Sequence, residues 1–198
     1  MKARMTRFPS VVVFLGIAAA LLPRQLAATQ SVPPVRGVSD SEITAVVIRF
    51  GIPASNGELT AAVQARVTRG DRLTGMRRFA AAEEEYRAAA TLARREGHLP
   101  SLTLWRLASA YYYEGDLQTA AVVLDQLRDE AARSGDLAVE ALALFNAAWL
   151  NGQQGRRQAA ETRIADLRNL LRSPYMPAGI RNNLSARLGT PSDLAVKR

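Results

Sequence analysis

The stretch "LASAYYYEGDLQTA", residues 107–120, decides the fold because it joins two helical patterns through one glycine. Before Gly115, small and apolar side chains recur at the three- and four-residue spacing of a helix, and Tyr111 closes that series. After Gly115, Leu117 and Ala120 begin a second stripe with the same spacing. The stretch therefore predicts two helices that are joined by a tight glycine turn.

This helical pair has counterparts elsewhere in the chain. The same skeleton returns around Gly155, and a weaker copy lies before the first, with Arg77 in place of the turn glycine. Each copy keeps a small residue in each helix. Because two helices approach closely only where the facing side chains are small, we expect these positions to lie at helix contacts. They are Gly70, Ala108 and Ala148 in the first helices and Ala82, Ala120 and Ala160 in the second helices.

These residues resemble the tetratricopeptide repeat, which has a small residue in its first helix, an aromatic three positions later, a glycine turn and an alanine in its second helix. The pair around Gly115 matches best, whereas the third pair has Asn151 in place of the aromatic. The usual repeat has about 34 residues, and the copies here are spaced more widely, so the resemblance is to a longer-helix variety. It covers roughly residues 58–172 and implies an all-α fold, an α-solenoid of about three helical hairpins. This scaffold serves many partners, so the resemblance says little about function.

The segments that flank these hairpins complete the predicted domain organisation. "AGIRNNLSARLG" places Ile180, Leu184 and Leu188 at a four-residue spacing, which predicts a C-terminal capping helix over the last hairpin. We therefore place the repeat domain at residues 58–188 and a flexible tail at residues 189–198.

Residues 29–57 are predicted to be a linker followed by a short N-terminal segment. The proline- and glycine-containing start is typical of a linker. In the following segment, Ser39 and Glu42 favour the start of a helix, while the β-branched residues after them favour a strand. We expect a helix there, because everything after it is helical.

Residues 1–28 have the layout of a secretory signal peptide, with a basic, acid-free start, twelve apolar residues at positions 11–22 and small residues around Ala28. A retained membrane anchor is the alternative. Twelve helical residues span about 18 Å, however, and the hydrocarbon core of a bilayer is about 30 Å thick. We expect cleavage after Ala28 and export, to the periplasm or beyond if the host is bacterial.

The composition argues against several classes of site. The net charge is +8 and residues 1–28 hold four positive charges and no acid, so the remainder carries +4, which is short of a typical nucleic-acid binder. The chain has no cysteine, which excludes disulfides and thiolate chemistry. His98, the only histidine, lies in a connector, and no phosphate-binding loop or nucleophile elbow is present. We expect no enzyme, no cofactor and no metal.

Four aromatic residues are the candidate partner-binding residues. The resemblance implies that Tyr111 packs between helices, and that a groove beside it is lined by Trp105, Tyr112, Phe145 and Trp149. Aromatics on such a face suit an apolar peptide or helix. The alternative is that the long helices, or the segment at residues 40–57, cover them as ordinary core.

The predicted function is that of an exported, non-enzymatic scaffold that binds a protein or peptide through this aromatic groove. Some members of the family bind a peptide carboxylate with lysines and asparagines in the groove. That kind of site is not expected here, because Asn146 is the only matching residue and Phe145 stands where a basic residue would be needed. The alternative is a self-associating structural or assembly component of the bacterial cell envelope.

Overall fold

Residues 51–189 form seven α-helices and no strand in a computed structural model, which describes this part of the chain. Each helix packs against the next one along the chain, so the predicted all-α class is confirmed. The predicted signal peptide, most of the linker segment and the tail from residue 190 lie outside the described residues. The helices are α1 (Ala61–Gly75), α2 (Phe79–Arg95), α3 (Ser101–Glu114), α4 (Leu117–Ser134), α5 (Leu137–Gln153), α6 (Arg157–Leu171) and α7 (Ala178–Gly189).

Each turn inside the three successive helix pairs contains one residue with a positive φ, two positions before the next helix begins. Gly115, between α3 and α4, has a φ of 98°, and Gly155, between α5 and α6, has a φ of 69°. The matching residue between α1 and α2 is Arg77, whose φ of 58° is the only positive value at a non-glycine residue in the described range. This left-handed conformation costs a residue with a Cβ atom about 1–2 kcal/mol. The first turn therefore adopts the same geometry under strain.

The six small residues that we expected at helix contacts are all buried. Gly70 shows why size matters there, since a Cβ atom at this position would lie 2.5 Å from Cε1 of the Tyr86 ring. Tyr86 itself is 1% exposed, so its ring has little room to move away. The absence of a side chain at Gly70 thus lets the Tyr86 ring of α2 lie against α1.

Two clusters of buried apolar side chains form the core. The first joins α1 to α5 and includes Ile52 from the segment before α1. The second is shared by α5, α6 and α7 and includes Met176 from the loop before α7. In α7, Leu184 is 1% exposed, and Ile180 and Leu188 pack beside it, which confirms the predicted apolar stripe of this helix.

The helix expected after Ser39 falls mostly on residues outside the described range, and residues 51–60 contain no helix. They instead hold Glu58, a fully buried carboxylate, at the N-terminus of α3. Its Oε1 atom accepts hydrogen bonds from the backbone N–H (2.8 Å) and hydroxyl (2.9 Å) of Thr103, and its Oε2 atom accepts from the backbone N–H of Leu102 (3.1 Å) and of Ser55 (3.0 Å). The first turn of α3 is therefore capped by a side chain from the segment that precedes α1.

The charged surface connects helix pairs as well. Arg94 of α2 pairs with Glu130 of α4 at 2.7 Å, and Arg163 of α6 pairs with Asp125 of α4. The partners stand 36 and 38 residues apart, which is close to one predicted repeat. Both pairs are partly exposed to solvent, and ion pairs at a protein surface contribute about 0–1 kcal/mol each.

Candidate partner-binding face

The structure separates the four predicted groove aromatics into two kinds. Trp105 is 6% exposed and lies in the first core cluster, while Phe145 is 2% exposed and lies in the second. Tyr112 and Trp149 are half-buried and pack against the edge of the first cluster. Trp105 and Phe145 therefore offer little surface to a partner, in line with the alternative that they are core. Binding by any of the four stays a prediction.

The half-buried rings are in contact with one another across two helices. The ring centroids of Tyr112 in α3 and Trp149 in α5 lie 5.5 Å apart with the planes tilted by 50°. Tyr113, also half-buried, places its ring edge-on to Tyr112 at the same centroid distance. Such pairs stabilise by about 0.5–1.5 kcal/mol beyond their buried area, so these rings are held in place. We call Tyr112, Tyr113 and Trp149 the aromatic face.

Tyr111 differs from the two tyrosines that follow it. It is 7% exposed and lies in the first core cluster, which confirms the packing role expected for it. Its hydroxyl accepts a hydrogen bond of 2.9 Å from the Nη2 atom of Arg87 in α2. Burial raises the pKa of this hydroxyl, and Arg87 opposes the rise. One helical turn thus carries a core tyrosine followed by two tyrosines that keep part of their surface exposed.

A cation stands beside the aromatic face. The guanidinium carbon of Arg106 lies 5.3 Å from the centre of the Trp105 ring, and its Nε atom lies 3.4 Å from Oδ1 of Asp71 in α1. Asp71 also accepts a hydrogen bond of 2.7 Å from the Tyr86 hydroxyl. Burial raises the pKa of the half-buried Tyr113, and the charge of Arg106, seven residues earlier on α3, acts against that rise. Arg106 keeps 30% of its side chain exposed, and Asp71 offsets part of its charge.

Sequence reasoning missed Tyr113 and Arg106 as members of this region. Both signals were present, since Tyr113 directly follows Tyr112, and Arg106 directly follows Trp105. The resemblance to a repeat directed attention to single positions of the helix instead. Asn146, the one residue that matches a carboxylate-binding groove, is 6% exposed, and its side-chain amide donates a hydrogen bond of 2.7 Å to the carbonyl of Leu142.

Three further observations on the described range concern metal ligands, the single histidine and membrane spans. No three His, Asp or Glu side chains in residues 51–189 lie together in a group that could hold a metal ion. His98 packs its ring against Gly57, where a Cβ atom would approach the ring to 2.5 Å. None of the seven helices is both long and apolar enough to pass through a bilayer.

Comparison with known proteins assigns this chain to no family. No protein-family model matches this chain, and neither the curated proteins nor the solved structures contain a match.

Proposed function

We propose that this protein is a non-enzymatic interaction module that binds an extended segment of a partner protein on the aromatic face. The observation that carries the proposal is the contact between Tyr112 and Trp149, two half-buried rings on different helices, with Tyr113 beside them. Aromatic side chains held by neighbours offer a large contact area and lose little conformational freedom on binding. A few such residues often account for most of the binding energy at an interface.

The architecture that supports this function is an α-solenoid of three tetratricopeptide-like hairpins, with α7 as the cap. Two features support it: the sequential packing of the helices and the buried small residues. In such a stack, the first helices of successive hairpins form one continuous face. Tyr112 in α3 and Trp149 in α5 belong to that face.

The chemistry of the face favours one type of partner segment. The rings of Tyr112, Tyr113 and Trp149 suit an apolar or aromatic side chain, and Arg106 suits an acidic group a short distance away. We therefore propose a peptide segment that combines an aromatic or large aliphatic residue with a nearby carboxylate. Residues 1–28 support export, so the partner is proposed to be met outside the cytoplasm.

A photocrosslinking amino acid at position 113 tests the proposal in the native host. The matched control places the same amino acid at position 122, since Val122 lies on α4 and is 59% exposed. A discrete adduct with another protein from position 113 alone is expected. Adducts from position 122 alone would refute binding at the aromatic face. An adduct with twice the mass of the chain would favour the alternative, self-association as a structural or assembly component.

Alanine variants then separate binding from folding. Tyr112→Ala and Trp149→Ala should each weaken binding of the crosslinked partner by about 2 kcal/mol, with the helical circular dichroism signal intact. Tyr111→Ala should instead destabilise the fold by about 3–5 kcal/mol, because it removes a core aromatic. If Trp149→Ala unfolds the protein as readily as Tyr111→Ala, the face is core and self-association through another surface becomes the better explanation.

A further inference from the structure

The loop between α6 and α7 carries the most exposed large apolar side chain of the described residues. Tyr175 is 85% exposed, although the next residue, Met176, is only 3% exposed and belongs to the second core cluster. Pro174 and Pro177 flank this pair and are exposed. The loop therefore directs one side chain into the core and presents the neighbouring ring to the outside.

Several contacts fix the conformation of this loop. The Nη2 atom of Arg181 donates hydrogen bonds to the backbone carbonyls of Ser173 (2.8 Å) and Met176 (3.1 Å). The backbone N–H of Tyr175 donates to the Ser173 hydroxyl at 3.3 Å. The two prolines restrict φ further. Because the backbone of the loop is already restrained, the loop loses little freedom when the exposed ring binds, which favours Tyr175 as a contact residue.

The charge around this loop is one-sided. Residues 167–189 contain four arginines and no acidic residue. Arg168 lies on α6, Arg172 directly follows the end of that helix, and both side chains are exposed. By contrast, residues 98–155, which include the middle helix pair, contain three arginines and seven acidic residues. The positive charge is thus concentrated at the end of the described chain that carries Tyr175.

We infer that this end of the protein, Tyr175 with Arg168 and Arg172, docks on a bilayer that contains anionic phospholipid. Tyrosine favours the boundary between headgroups and hydrocarbon, where its ring is apolar and its hydroxyl remains hydrated. Arginine forms bidentate hydrogen bonds with phosphate, and basic groups near an anionic leaflet add to its attraction. A single protruding ring, in a stretch from residue 167 to residue 189 whose only charged side chains are arginines, fits a flat charged surface better than a shaped protein pocket. The inference is independent of the proposed function, because it uses other residues.

Co-sedimentation of the full chain with phosphatidylcholine vesicles, with and without phosphatidylglycerol, measures the effect. Arg168→Gln/Arg172→Gln should weaken the binding that depends on phosphatidylglycerol by about 25-fold, at about fivefold per charge. The matched control is Arg72→Gln/Arg95→Gln, which removes equal charge from exposed positions on α1 and α2. All variants share residues 1–50, so any affinity of that part for lipid is common to them. An equal loss in both double variants, or binding that does not need phosphatidylglycerol, would overturn the inference.

Fluorescence tests the position of the ring directly. Tyr175→Trp should show a blue shift when anionic vesicles are added, whereas Val122→Trp, at another exposed position, should not. Trp105 and Trp149 contribute the same background in both proteins. No shift at position 175, together with binding to poly-glutamate, would favour an acidic protein as the partner and overturn docking on lipid. Circular dichroism of each variant checks that the helices remain intact.

Discussion

Replacement of Glu58 should destabilise the protein more than replacement of any other acid that caps a helix here. This carboxylate is fully buried at the N-terminus of α3, where Pro100 is the cap residue and contributes no side-chain hydrogen bond. Glu58 takes over that role. In Glu58→Ala, the backbone N–H groups of Leu102 and Thr103 lose their acceptor, and so does that of Ser55.

The magnitude follows from the number of donors that lose an acceptor. A buried donor without a partner costs about 1–3 kcal/mol, and water reaches the less buried ones, so Glu58→Ala should cost about 3–5 kcal/mol. Glu58→Gln keeps the shape of the side chain, but each carboxylate oxygen of Glu58 accepts at least two hydrogen bonds. Whichever way the glutamine amide is turned, its N–H₂ group therefore points at two donors and leaves them without an acceptor. The amide also lacks the negative charge that the helix dipole favours. We expect a cost of about 2–4 kcal/mol for this variant.

Asp116 supplies the matched control. It caps α4 in the same manner, with Oδ1 accepting from the backbone N–H of Thr119 at 2.9 Å, but it is exposed. Asparagine is about as good a cap as aspartate, so Asp116→Asn should change stability by only a few tenths of a kcal/mol. Urea unfolding followed by circular dichroism at pH 7 measures all three variants. If Glu58→Gln proves as mild as Asp116→Asn, the cap is not needed and the reasoning about buried donors is wrong.

Three further predictions concern the turns, the helix contact at Gly70 and the pH dependence of stability, and unfolding experiments test each of them. Arg77→Gly should stabilise the protein by about 0.5–1 kcal/mol because it relieves the left-handed strain. In the matching turn, Gly115→Ala should destabilise the protein by about 1 kcal/mol. If both variants changed stability in the same direction, the two turns would not share this geometry. Gly70→Ala should destabilise the protein by about 1–3 kcal/mol because the new Cβ atom would meet the Tyr86 ring. The control Gly75→Ala, where a Cβ atom would have nothing within 4 Å, should stabilise the protein by about 0.5–1 kcal/mol. Equal effects of the two changes would show that the helix contact lies elsewhere. Burial raises the pKa of Tyr86 above its usual value of about 10, so its contribution is complete below about pH 10 and is lost as the pH rises through the folded-state pKa. Stability curves between neutral and alkaline pH should therefore fall less steeply for Tyr86→Phe, and an unchanged slope would assign the fall to other groups.

Much of the helical organisation could be read from the sequence, because it depends on residues that are near one another. The three- and four-residue spacing around Gly115 predicts both helices of that pair, and the structure has them as α3 and α4. The same spacing predicts α7, and its stripe at Ile180, Leu184 and Leu188 packs as expected. Small residues such as Gly70 mark the helix contacts, since steric fit between neighbouring helices allows nothing larger.

Other features were decided only by the tertiary structure. Trp105 and Trp149 were both predicted to line the groove, yet one is buried and the other half-buried, because the amount of surface that remains depends on which segments pack above each ring. The exposed position of Tyr175 depends on a loop that Arg181 holds from the following helix. Glu58 reads in the sequence as an ordinary polar residue before α1, and yet it caps α3, which begins only after α1 and α2 have ended. Periodicity reports which residues share a face of one helix, whereas burial and long-range hydrogen bonds depend on how distant segments come together.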